Sequence, residues 1–168
     1  MKRQLKTSLN SLFLLACVIL LTGVYVYGEE YEILKGMDSA RAIFDMRSGD
    51  PKSAAVLLGM IQQTFQDENL RTAAEKPEFV VVFIGPSVKL ISTNTEGFSS
   101  DDKEKIRVIA NTISEMSKAG IRLEICLAAA HLFGVDPATV LPEIKQVRNG
   151  WVTLIGHQAK GYALVPVY

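Results

Sequence analysis

The sequence predicts an α/β protein built on a mostly parallel five-stranded sheet with helices on both faces. Three observations carry that expectation. Glu78–Ile84 (EFVVVFI) is an unbroken β-branched and aromatic run, the pattern of a strand buried on both faces. Short apolar runs alternate along the chain with segments of helical spacing, as βαβ units require. Proline and glycine punctuate the joints, as at Asp50-Pro51, Gly85-Pro86 and Gly120.

The first segment reads as an address, outside the sheet. MKRQLK is a positive start, and an apolar run follows from Leu12 to Tyr27, broken only by Thr22 and Gly23. Polar Glu29-Glu30 comes next, completing the layout of an export signal. The run of 16 residues is shorter than the roughly 20 that a spanning helix prefers. Residues 1–28 are therefore expected to be cleaved near Gly28 or retained as an N-terminal membrane anchor, with the domain periplasmic or otherwise exported. Leu14-Leu15-Ala16-Cys17 resembles a lipoprotein cut site, but too few apolar residues precede the cysteine. Glu29–Ser39 reads as a linker, and 40–168 as the folded domain.

Within that domain Arg41–Met46 is the first strand. Asp50 caps a helix with Pro51 at its first position, and Val56, Leu57, Met60, Ile61 and Phe65 recur at helical spacing. Polar Gln62–Lys76 reads as helix end and loop. After the strand Glu78–Ile84, Ser87–Ile91 is a helical turn. Asp101-x-x-Glu104 forms a capping box, with Ser100 competing as cap, and Ile106, Ile109, Ile113 and Met116 make one apolar helix face closed by Gly120. Ile121–Cys126 alternates as a strand, and Leu127–Phe133 is a short alanine-rich helix ending at Gly134. Asp136-Pro137 caps a turn, Ile144–Val147 is a short strand and Trp151–Lys160 a helix. Tyr162–Val167 is the last strand, placed at an edge by Pro166.

Composition excludes several functions. The chain has 48% hydrophobic and 21% charged residues and a formal charge of zero, which gives no basic field for nucleic acid. Removing 1–28 takes three basic residues and no acid, leaving residues 29–168 at −3. With Cys17 in the first segment, the remainder keeps one cysteine and two histidines, too few for an intrachain zinc module, and His131 and His157 have no helical partner ligand. Both histidines are expected at the surface or an edge, and Trp151 is expected to pack at a helix start. No dinucleotide, Walker or H-E-x-x-H motif is present, so no cofactor or metal is expected. Gly85-Pro86-Ser87-Val88-Lys89 follows a strand where a nucleophile elbow would sit, but Lys89 takes the place that needs a small residue.

Cys126 is the one candidate catalytic residue. It ends a predicted parallel strand, where open α/β sheets form ligand crevices, and it abuts a helix start that favours a thiolate. A thiolate attacks sulfur. Leu127 and Ala128–Ala130 provide no acid or base, which suits a residue that accepts and releases a group. The bland alternative is a buried cysteine that only packs.

Ala42–Asp45 with Asp50-Pro51, Val80–Leu90 (VVVFIGPSVKL), Gly120–Ala130 (GIRLEICLAAA) and Gly150–Pro166 together resemble the DsrE/DsrF-like family of sulfur-relay proteins, which includes TusD-type subunits. That resemblance covers about residues 40–168. It implies a three-layer α/β/α fold, assembly into oligomers, and a cysteine carrying persulfide sulfur, here matched by Cys126. It also implies a protein that donates or accepts the sulfur. Many exported relatives carry a polar residue, often His, before the Gly-Pro turn; this chain has Ile84. The function expected is a periplasmic sulfur carrier using a solvent-reachable Cys126. The alternative is a non-catalytic binding or assembly module.

Overall fold

The structure, a computed structural model, describes residues 31–74 and 76–168. The export segment expected over 1–28 lies outside the described residues. The strands are β1 (Arg41–Met46), β2 (Glu78–Phe83), β3 (Arg122–Cys126), β4 (Lys145–Val147) and β5 (Ala163–Val167). The helices are α1 (Pro51–Gln66), α2 (Glu68–Ala73), α3 (Ser100–Lys118), α4 (Leu127–Leu132) and α5 (Gly150–Ala159). All five strands are parallel, in the order β4-β3-β2-β1-β5. This is the predicted α/β sheet, with Pro166 on the edge strand β5.

Register decides what each face carries. Parallel neighbours share a face and successive residues alternate. Phe44, pairing with Val81, lies on the same face as Phe79, and Phe79 meets Phe65 of α1 at 5.3 Å between ring centroids. Helices α1 and α3 cover this side. Ile43, Asp45, Val80, Val82, Glu124 and Cys126 face the other way, toward α5. With both faces covered, β2 is buried from Phe79 to Phe83.

Helix α3 buries the four residues its spacing predicts, Ile106, Ile109, Ile113 and Met116. Its cap differs from the expectation. Ser99 is the N-cap, accepting from the Asp102 N–H at 3.1 Å and donating to Asp102 Oδ2 at 2.8 Å. Serine can do both, so the reciprocal pair begins before Ser100 and Asp101. Gly120, at φ 96°, turns the chain out of α3 and lets the Ile121 N–H reach the Met116 carbonyl at 3.0 Å.

Helix α1 sits rotated from the expected face. Ala54, Leu58, Ile61 and Phe65 are buried, while Val56 and Met60 are 59% and 57% exposed. A helix that is apolar nearly all round leaves its inward face to tertiary packing, and small Ala54 allows close approach. The segment expected to be a loop after α1 contains α2, because Asp67 ends one helix and caps the next by accepting from the Leu70 N–H at 3.0 Å.

Candidate functional site

The connections leaving β1, β2, β3 and β4 converge on one pocket of about 300 Å³. Arg47 follows β1, Ile84 and Gly85 follow β2, and Cys126 ends β3. Asn149 and Trp151 open α5 after β4. This is the carboxyl end of a parallel sheet, where such folds form their crevices.

Two turns set the walls. Gly85, at φ +67°, bends the chain sharply after β2. Ser87 then donates to the Met46 carbonyl at 2.7 Å and the Ile84 carbonyl at 3.1 Å, fully buried. Its hydroxyl fixes the Gly-Pro turn to β1 and is no nucleophile. Ile84 forms an apolar wall beside Cys126.

Cys126 is a free thiol, 4% exposed. It is the N-cap of α4, and its Sγ accepts from the Ala129 N–H at 3.4 Å. Only six residues long, α4 contributes this one directed hydrogen bond more than a macrodipole. The Ala128 N–H is already held by the Arg148 carbonyl at 3.2 Å. The sequence reading expects a solvent-reachable thiol; the structure sets it in the pocket lining, with little surface of its own. Gly150 explains the tightness. A Cβ there would lie 2.9 Å from Cys126 Cβ and 2.8 Å from Ile84 Cδ1.

Other residues of the pocket carry no signal in the sequence. Arg47 is the one charged side chain among its described lining residues. Its Nε donates to Asp45 Oδ2 at 2.8 Å, and the Asp45 carboxylate is buried under α5. Asn149 caps α5 by accepting from the Trp151 N–H at 2.9 Å. Trp151 is 61% exposed, so it stands at the pocket rim and does not pack as expected. Beside it, Leu132, Val152 and Ile155 are also exposed.

The histidines lie elsewhere. His131 is exposed on α4, and His157 lines a separate polar hollow of about 210 Å³ with Arg122, Glu124 and Lys160. Glu124 is 1% exposed and bonded to Arg122 Nε at 2.5 Å. Its other oxygen and His157 Nδ1 are buried without partners among the described residues. Burial pushes the His157 pKa down; Glu124 opposes, while Arg122 and Lys160 reinforce it. At the edge of this face Tyr162 donates to Glu78 Oε2 at 2.7 Å and Arg41 to Glu78 Oε1 at 3.0 Å, which hold the Glu78 carboxyl below its usual range.

A pH effect follows from His157. The fold prefers the neutral imidazole, so stability is full above the unfolded pKa near 6.5 and falls as pH drops through that value toward the lower folded pKa. Thermal melts from pH 7.5 to 5.5 should show a declining midpoint, and His157→Gln should flatten the decline. Glu78 acts in a lower window, so it does not mask the effect.

Among the described residues no three His, Cys, Asp or Glu side chains converge as a metal site, and no helix is long and apolar enough to cross a membrane.

A solved structure of similar fold agrees with this architecture. A protein of unknown function from Methanobacterium thermoautotrophicum, MTH1491, has a similar fold, with a TM-score of 0.60 at 18% identity over 76% of this chain and 99% of that one. The ychN protein from E. coli gives a TM-score of 0.46 at 10% identity, covering 76% of this chain and 99% of that one. An uncharacterized protein of Aquifex aeolicus is 26% identical over 127 residues, which is 75% of this chain; the chain spans about half, 55%, of that relative's length. The DsrE/DsrF-like family model matches residues 38–167, most of the chain, so the chain belongs to the DsrE/DsrF-like family.

Proposed function

We propose that Cys126 carries sulfane sulfur as a persulfide in an exported, self-associating member of this family, a sulfurtransferase-like carrier. The observation that supports it most is the placement of a free thiol in an apolar pocket at the carboxyl end of the sheet, with an amide N–H directed at its sulfur. Neither an acid nor a base is required. For a donor D–S⁻, the Cys126 thiolate attacks the sulfane sulfur. The D–S bond breaks and D leaves with its electron pair, giving the persulfide Cys–S–S⁻ and D⁻. The cysteine sulfur is oxidised by the atom it gains and D is reduced, so no outside oxidant enters. A downstream acceptor thiolate, from a partner protein, takes the outer sulfur by the same attack.

Export rests on the 1–28 segment and self-association on the family. The exposed Trp151, Val152 and Ile155 flank of α5 and the exposed Leu164 and Val165 on edge strand β5 support the latter. Sedimentation at micromolar concentration should show an oligomer; a monomer would count against it.

The low exposure of Cys126 favours a second reading, in which the thiol packs and caps α4 in a binding or assembly module. Alkylation separates the two. In a Cys17→Ser background, which leaves Cys126 as the sole thiol, native protein should react with iodoacetamide at a measurable rate. Reaction only after unfolding would replace the carrier reading by the packing one.

A further inference from the structure

The pocket beside Cys126 is apolar in its walls and one-sided in its polar groups. Its described lining residues include no carboxylate, histidine or lysine. What polar side chains it has, apart from the thiol, donate. Asn149 Oδ1 is occupied by the Trp151 backbone N–H, and since a backbone N–H only donates, the atom it meets is the oxygen. The Nδ2 group, with two N–H donors, is left for a ligand. The Trp151 indole can only donate. Arg47 has Nε committed to Asp45, and neither of its terminal nitrogens makes a hydrogen bond to another described residue. That leaves four guanidinium N–H groups held in orientation by a buried carboxylate. Asp45 also keeps the pair neutral overall, so the pocket presents a directed cation and no broad positive field.

A concave site whose polar side chains, the thiol apart, offer donors, and whose apolar walls strengthen each charge interaction, is complementary to a small anion. Resting on the reading of Cys126 as the sulfur-carrying thiol, we propose that Arg47, positioned by Asp45 and assisted by Asn149, binds the anionic end of an inorganic sulfane-sulfur donor of the hydropolysulfide class and presents its sulfur to Cys126. For the simplest such donor, HS–S⁻, the thiolate attacks the hydrogen-bearing sulfur and the S–S bond breaks. The electron pair leaves on the terminal sulfur, which takes the proton and departs as HS⁻. The products are Cys–S–S⁻ and HS⁻, with two negative charges on each side. Arg47 is a binding residue and Asp45 a positioning residue, acting through it.

The test uses two alkylating probes of nearly equal size and the same displacement chemistry, anionic iodoacetate and neutral iodoacetamide. Any change in thiol access or ionisation affects both rates, so their ratio isolates anion recognition. The full chain carries Cys17→Ser in every case. Arg47→Gln should lower the iodoacetate-to-iodoacetamide rate ratio about tenfold, the effect of one charge-assisted hydrogen bond. Arg47→Lys should retain part of the preference. Because Arg47→Gln leaves the Asp45 carboxylate buried without its partner, the pair Asp45→Asn with Arg47→Gln provides a variant with no orphaned charge, and it should show the same lowered ratio. Asp45→Asn alone should lower the ratio by a smaller factor, since the guanidinium keeps its charge and loses its anchor. Loading from hydropolysulfide should slow in step with the ratio. If the ratio is unchanged in Arg47→Gln while native Cys126 still loads sulfur, the anion site is overturned and the carrier reading stands. If neither reagent reaches Cys126 in the folded protein, both fall.

Discussion

Gly150→Val should lower the melting midpoint by about 10 °C and, by uncovering the thiol, raise the iodoacetamide rate of Cys126. The first carbon added at this position already lies within 3.0 Å of three atoms: Cys126 Cβ, Ile84 Cδ1 and Ile84 Cγ1. The isoleucine end can move, but the cysteine Cβ is fixed to the last residue of β3. Relief therefore requires the start of α5 to lift from the sheet. Overpacking of this kind costs about 3 kcal/mol, at the upper end of its usual range, and a domain of this size loses roughly 2–4 °C per kcal/mol. Lifting α5 also displaces Asn149 and Trp151 from the pocket. Melting followed by circular dichroism, with the iodoacetamide rate measured on the same sample, checks both parts. An unchanged midpoint would show that the backbones around Cys126 are less tightly apposed than the structure places them.

The second large effect concerns the buried carboxylate beneath α5. Arg122→Met should destabilise the fold by about 2–3 kcal/mol, because it leaves Glu124 charged and almost without solvent contact. Arg122 is itself half-exposed, and water entering its place keeps the loss below that of a fully enclosed pair. Adding Glu124→Gln to Arg122→Met should recover most of the stability, since an amide carries no charge to strand. Denaturant titration of the single and double variants gives the coupling directly. Equal stability of the single and double variants would mean that the carboxylate is not the source of the cost.

The two buried acids show what periodicity can and cannot reveal. In IRLEIC, Glu124 reads as the polar face of an alternating strand, and in the short apolar run RAIFDM Asp45 is the one acid. The sheet is covered on both sides, so that face lies under α5, and each acid is held by an arginine two residues away, Arg47 and Arg122. The EFVVVFI strand was legible because no residue in its interior is polar. The buried face of α3 was legible because charged residues surround it, whereas the all-round apolar α1 gave no way to choose a face. Helix α2 has no apolar period and exists through the Asp67 cap. Cys126 could be placed at a strand end from IRLEIC followed by LAAA. Ile84 was singled out only through the resemblance, and Arg47, Asn149 and Trp151 could not be placed beside Cys126: they span more than a hundred residues of sequence and meet only through the parallel strand order.

The most direct measurement of the central claim is the intact mass of the folded Cys17→Ser chain after exposure to inorganic polysulfide and removal of excess reagent. The persulfide reading predicts a gain of one sulfur atom, mapped to the peptide containing Cys126, reversed by a thiol reductant and absent when Cys126→Ser is added. A mass that stays unchanged until the protein is unfolded, or a gain that survives Cys126→Ser, would contradict it.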